Sequence, residues 1–171
     1  MSANETEQFE RIVLPHLDAA YNLARWLAGN DHDAADIAQE SCVRAFRFIG
    51  GHRGGDGRAW LLAIVRNTAF TWLKKNRPAV VVPIDDDALA AIEDTNSAAR
   101  MFSGADKNVL RAALAALPLE FREAIVLREI EGLSYKEISE VADVPVGTVM
   151  SRLARARRQL HNHFQTEGGA K

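Results

Sequence analysis

The sequence is short of several things, and each shortage removes a class of protein. It has one cysteine, Cys42, so no internal disulfide can form, and no Cys/His cluster with zinc spacing accompanies it. A reducing compartment is therefore expected. No apolar run approaches the roughly 20 residues that a membrane-spanning helix needs. The opening MSANETEQFE is acidic and polar, without a basic stretch followed by an apolar one, so no signal peptide is expected and the protein should stay in the cytoplasm. There is no strand-like alternation of useful length. A large excess of positive charge is missing too. The formal net charge is −2, so any contact with nucleic acid must be local rather than a general coating.

What is present is an ordinary globular composition, 47% hydrophobic and 26% charged over 171 residues, enough for one ordinary domain or two small ones. Charge is laid out in blocks. Residues 51–78 carry Arg53, Arg58, Arg66, Lys74, Lys75 and Arg77 against Asp56 alone. Residues 79–106 reverse this, with Arg100 against Asp85, Asp86, Asp87, Glu93, Asp94 and Asp106. Residues 146–165 carry Arg152, Arg155, Arg157 and Arg158 and no acid. Two basic blocks thus stand on either side of an acidic one.

Periodicity predicts an all-α protein of two small helical domains, 7–77 and 105–164, joined by a flexible linker over 78–104 in which Pro78 and Pro83 bracket a short Val run. In the first domain, Phe9, Ile12, Val13, Leu17, Ala20, Ala24 and Leu27 predict one helix stopped by Gly29. Asp33 with Asp36 resembles a capping box for a second helix, Ala34–Ile49. Its apolar stripe is either Ile37, Ser41, Ala45 and Phe48 or Ala38, Cys42, Phe46 and Ile49. The glycine-rich Gly50–Gly57 cannot be helical. A third helix, Arg58–Asn76, turns Leu61, Ile64, Val65, Thr68 and Trp72 inward.

The second domain predicts four helices: Asp106–Leu117, Leu119–Ile130, Ser134–Ala142 and about Val146–Phe164. Pro118 separates the first two, and Gly132 ends the second. Ser134 and Glu137 form the capping pattern S-x-x-E. A capped short helix, a tight turn at Ala142–Val144 and a second helix rich in arginine make the plan of a helix-turn-helix over Leu133–Leu160. The first helix should brace the second, Ile138 and Val141 against Val149 and Leu153. Gly147 and Thr148 are small enough for close approach to DNA, and Ser151, Arg152 and Arg155 line one face toward bases and phosphates. An amphipathic helix with a solvated basic face is the plainer alternative, and the capped helix and turn in front argue against it.

The motifs together resemble a known family. Leu117-Pro118-Leu119-Glu120-Phe121-Arg122-Glu123, Arg128-Glu129-Ile130-Glu131-Gly132-Leu133-Ser134-Tyr135-Lys136-Glu137-Ile138, Pro145-Val146-Gly147-Thr148-Val149 and Ser151-Arg152-Leu153 resemble the promoter −35-binding region of the extracytoplasmic-function (ECF, group 4) sigma factors of RNA polymerase. Asp33–Glu40 resembles the family's polymerase-binding helix, and Arg58–Asn67 its −10-element helix. The resemblance implies a −35 interface of Arg128, Tyr135, Lys136, Pro145, Gly147, Thr148, Ser151, Arg152 and Arg155. It implies a −10 interface of Arg53, Arg58, Trp60, Arg66, Asn67, Thr71, Lys74 and Lys75, in which a cationic track follows the opened strand and extruded bases find pockets. Trp60 reads equally as a stacking or a core aromatic, and Trp72 as a core one.

The resemblance further implies that Asp36, Gln39 and Glu40 dock on the core polymerase, at the coiled coil formed by the β′ clamp helices. An anti-sigma factor that buries the same faces is a further implied partner. Two departures stand out: Met150 sits where many members carry Lys or Arg, and Ala154 is small where bulkier residues occur. No cofactor, metal or catalytic residue is expected. An ordinary repressor or activator would need a ligand pocket or a phosphorylatable aspartate on a strand, and an enzyme would need clustered carboxylates or histidines. The one dense acidic cluster, Asp85–Asp87, falls in the linker, and the five histidines (His16, His32, His52, His161 and His163) are scattered.

Overall fold

The computed structural model describes residues 2–86 and 106–169. Every regular element among them is helical, in two compact units, one centred on residues 2–78 and the other on the chain beyond Pro78. The linker residues 87–104 lie outside the described residues.

The first unit opens with α1 (Ala3–Ile12), capped by Ser2 and Glu5 in a reciprocal capping box. The single helix expected over Phe9–Leu27 is two. Pro15 lacks the N–H that a continuing helix would use, and the chain makes a 3₁₀ turn, Leu14–His16, before α2 (Leu17–Ala28). Gly29, at φ +85°, ends α2 as expected. The cap of α3 (Asp31–Phe48) is Asn30, whose side chain accepts from the Asp33 N–H, so the helix begins three residues earlier than Asp33 suggested. Of the two expected stripes, Ile37, Ser41 and Ala45 are buried. The stripe continues to Ile49, while Phe48 is exposed.

α4 (Gly57–Asn76) is capped by Asp56, which accepts from the Arg58 N–H at 2.9 Å. Its buried face is Leu61, Leu62, Val65, Thr68, Ala69 and Leu73. Ile64 and Trp72, expected inside, are only half-buried. α2, α3 and α4 pack on one another in pairs around Leu23, Leu27, Ile37 and Leu61. The buried hydroxyls of Ser41 and Thr68 donate to the carbonyls of Ile37 and Ile64 four residues back, so neither is left unmet in the core.

The second unit contains α5 (Lys107–Ala115), capped by Asp106; α6 (Leu119–Ile125); α7 (Tyr135–Ala142); and α8 (Val146–Gly169). α6 runs on into a π-helical turn, Val126–Ile130, instead of staying α-helical to its end. Gly132, at φ +71°, closes that turn, with the Leu133 N–H on the Leu127 carbonyl at 2.9 Å. Arg122 is 5% exposed and gathers the C-terminal carbonyls of α5: Nε donates to Leu114 at 2.8 Å, and Nη2 to Leu117 at 3.0 Å and Ala115 at 3.1 Å. α5 and α6 both pack along α8, whose stripe of Val149, Leu153, Ala156 and Leu160 is buried.

The expected capping box is in place. The Ser134 hydroxyl accepts from the Glu137 N–H at 3.1 Å, and the Glu137 carboxylate accepts from the Ser134 N–H at 2.9 Å. Ser134→Ala should therefore loosen the start of α7 by about 1 kcal/mol. The loss would be read in urea unfolding and in faster hydrogen exchange confined to the α7 amides.

Candidate nucleic-acid interface

The turn between α7 and α8 pivots on Asp143, which sits at φ +55°, the left-handed region that Asp tolerates better than most residues. Its N–H reaches back to the Ser139 carbonyl, and the Ser139 hydroxyl donates to the Val144 carbonyl. Pro145 then starts α8, accepting from Thr148 and Val149. Of the residues expected to brace the motif, Ile138, Val141, Val149 and Leu153 are all buried.

The expected −35 residues divide by exposure. Lys136, Pro145 and Gly147 are exposed, and Met150 is exposed beside them. Thr148, Ser151 and Arg155 are half-buried and, at spacings of three and four, share one side of α8. Arg128 and Tyr135 form a unit: the guanidinium donates to the Leu133 carbonyl at 2.9 Å and lies 4.7 Å above the Tyr135 ring. The π turn of α6 is what delivers Arg128 to that position.

Arg152 is placed differently from the expectation. It is 7% exposed and makes a bidentate pair with Asp86, through Nε at 3.0 Å and Nη2 at 2.9 Å. Burial alone would lower its pKa, but the Asp86 hydrogen bond and the charges of Asp86, Glu123 and Glu120 raise it instead. The bond from Arg152 holds the Asp86 carboxyl below its ordinary value against partial desolvation, with the charges of Arg152 and Arg155 adding to it. The pair is therefore fully charged at neutral pH. Its stabilisation is present above the ordinary aspartate range and is lost only as the pH falls through the lowered value. Arg155 donates to the Asp85 carbonyl and stacks 4.9 Å above Phe121. Arg157 is 5% exposed and pairs with Glu129 at 3.2 Å. Of the four arginines of α8, two are thus interior.

The expected −10 residues lie mainly along the outer side of α4. Asn67, Thr71, Lys74 and Lys75 are exposed, and Arg66 lies 3.8 Å above the Phe70 ring and donates to Asn67 at 3.3 Å. Arg53 is exposed in the glycine-rich loop, where Gly54 and Gly55 both have positive φ, and Arg58 is half-buried. Trp60 is half-buried against His52, with ring centroids 5.0 Å apart. His52, read from sequence only as a scattered histidine, is buried, and its backbone carbonyl accepts from the Gln8 side chain at 3.4 Å.

Asp36, Gln39 and Glu40 are exposed on α3, next to the exposed Val43 and Arg47. Glu40 pairs with Arg44 at 2.8 Å, and Asp36 stands 4.0 Å from His32. The sequence offered no signal for Asp86 beyond its place in an acid-rich run, nor for Gln8.

Residues 12–78 match the family Sigma-70 region 2, and residues 107–160 match Sigma-70, region 4. The chain is 40% identical over 162 residues to the ECF RNA polymerase sigma factor SigE of Mycolicibacterium smegmatis, covering 91% of this chain and 61% of that protein. It is 36% identical over 142 residues to the ECF RNA polymerase sigma-E factor of Salmonella typhimurium, covering 78% of this chain and 74% of the relative. A solved structure of the sigma factor RpoE from Bartonella quintana, in complex with the anti-sigma factor NepR, superposes with a TM-score of 0.72 at 26% identity, over 92% of this chain and 96% of that one. The chain belongs to the sigma-70 family and, within it, to the ECF RNA polymerase sigma factors.

A buried ion pair is costly to break from one side, because the remaining charge stays desolvated. Glu129→Ala strands Arg157 in this way and should destabilise the second unit by about 3 kcal/mol. Urea unfolding followed by circular dichroism would show the loss, and a change under 1 kcal/mol would mean that solvent already reaches the pair.

Proposed function

We propose that this chain directs RNA polymerase core to a specific set of promoters in the cytoplasm and starts transcription there. The observation that carries the reading is the order of two dissimilar helical units in one chain, each with a local block of basic residues. One exposes Asn67, Thr71, Lys74 and Lys75 on a single helix, and the other is a helix-turn-helix.

In this reading the second unit holds the −35 duplex. Tyr135, Lys136, Thr148, Ser151 and Arg155 line it, Pro145 and Gly147 allow close approach, and Arg128 is held ready by Tyr135. The first unit follows the melted −10 strand with Arg53, Arg58, Arg66, Lys74 and Lys75. Asn67 and Thr71 read base edges, and Trp60 offers a stacking surface. Asp36, Gln39 and Glu40 dock on core polymerase at the β′ clamp helices, with Val43 adding apolar area to that patch. The Bartonella quintana factor is captured with an anti-sigma factor; by analogy, this chain is held inactive by such a partner covering the same faces. No catalytic role belongs to the chain in this account.

Run-off transcription tests the reading as a whole. Core polymerase with this protein, supplied with a library of genomic fragments, should yield discrete transcripts sharing a two-part upstream motif. A transcript set no different from that of core alone would overturn it. The docking assignment is tested separately. Asp36→Arg combined with Gln39→Ala should abolish co-purification with core while leaving the helical content unchanged, and undiminished co-purification would refute it.

A further inference from the structure

The feature that the proposed function does not absorb is the place of Asp85 and Asp86. Both come from the segment that follows Pro78, and both are engaged by α8 within the second unit. The Asp86 carboxylate accepts two hydrogen bonds from Arg152, and the Asp85 carbonyl accepts one from Arg155. Arg152 and Arg155 are three residues apart, so the two aspartates cross α8 on one side, at the level where Thr148 and Ser151 also lie. The geometry at Arg152 is the one a guanidinium offers to a phosphate: a planar fork met by two anionic oxygens. The Asp86 side chain retains 36% exposure, so its charge stands at the surface of the unit and not inside it.

We infer that Asp85 and Asp86 form an intrachain latch over α8, which occupies Arg155 and sets a negative charge beside the −35 surface until promoter DNA displaces it. Arg152 is then the anchor of the latch and not a base reader. Its guanidinium is interior, with Glu120 and Glu123 contributing to its field, and it donates hydrogen bonds to Asp86 of the acidic segment. Arg155 is the residue shared between the two states. Half-buried over Phe121, it is held in place by the ring whether its outer hydrogen bond goes to the Asp85 carbonyl or to a phosphate. Opening costs the two hydrogen bonds of the pair, and that cost is partly offset because Asp86 is already solvated on one side and the charges of Glu120 and Glu123 still act on Arg152. The latch thus lowers the affinity of the free protein for DNA without locking it. This inference rests on the reading of α8 as the −35 surface.

The test measures binding of the full-length protein to a duplex carrying the upstream motif recovered from run-off transcription, by fluorescence anisotropy at low salt. Asp86→Asn removes the charge and should raise affinity about tenfold, the size of one charge-assisted hydrogen bond released. Asp86→Glu keeps the charge and should stay close to the parent. Arg152→Lys keeps a cation facing Glu120 and Glu123 but loses the fork. It should give a smaller gain and guards against a fold defect specific to Asp86→Asn. In an Arg155→Ala background the gain from Asp86→Asn should vanish. Equal or weaker binding by Asp86→Asn and Arg152→Lys, with the parent binding normally, overturns the latch and leaves the −35 reading standing. Binding by none of these proteins overturns the −35 reading, and the latch with it.

Discussion

The second unit depends on three guanidinium groups that have left the solvent. Arg122, Arg152 and Arg157 are each at most 7% exposed, and a buried guanidinium is tolerated only where its charge or its donors find a partner. Each is met differently. Arg122 takes the carbonyls that end α5, Arg157 takes Glu129 from the π turn, and Arg152 takes Asp86 from the far side of Pro78. These demands fix where α5 stops, where the π turn must place Glu129, and how the chain enters the unit. The apolar stripe of α8 supplies the packing, and the guanidinium groups decide which register of that packing is allowed.

The first unit is built on the opposite economy. Its core is aliphatic, its buried polar groups among the described residues are the Ser41 and Thr68 hydroxyls, each bonded within its own helix, and His52 against Trp60, and none of its lysines or arginines is buried. That difference suits the proposed function, in which the first unit meets a single strand and the second a duplex. A single strand is followed by a mobile track of lysines and arginines, which need no fixed rotamer. A duplex groove is entered by one rigid helix, whose orientation must be set by its neighbours before any base is reached.

Sequence periodicity revealed most of this architecture, because apolar spacing and capping chemistry are local. The Ser134–Glu137 box, the stop at Gly29 and the break at Pro118 all follow from side chains within a few residues. Two local signals were outweighed. Pro15 splits a stripe that apolar spacing alone joins, and Asn30 caps α3 ahead of the better-looking Asp33. The site was less legible, for a physical reason. A run of four arginines within seven residues looks uniformly basic in sequence, but which of them face inward depends on acids distant in the chain. Nothing near Arg152 announces Asp86, 66 residues earlier, and nothing near Arg157 announces that a π turn will carry Glu129 to it.

Counting the arginines of α8 therefore overstates its reach toward DNA. With Arg152 and Arg157 neutralised inside, fewer cations remain to displace counterions from phosphate, and Met150 adds none where an extra charge would fit. A surface of this kind binds a duplex weakly by itself. That weakness is useful in a chain with two contact points, because joining two weak contacts through one scaffold converts the second into an intramolecular event whose strength is set by effective concentration. On the proposed function, promoter binding then depends on the polymerase that holds both units to the DNA. An acidic segment lying against α8 pushes in the same direction, since it costs the free protein more than it costs a complex in which the second contact has already been made.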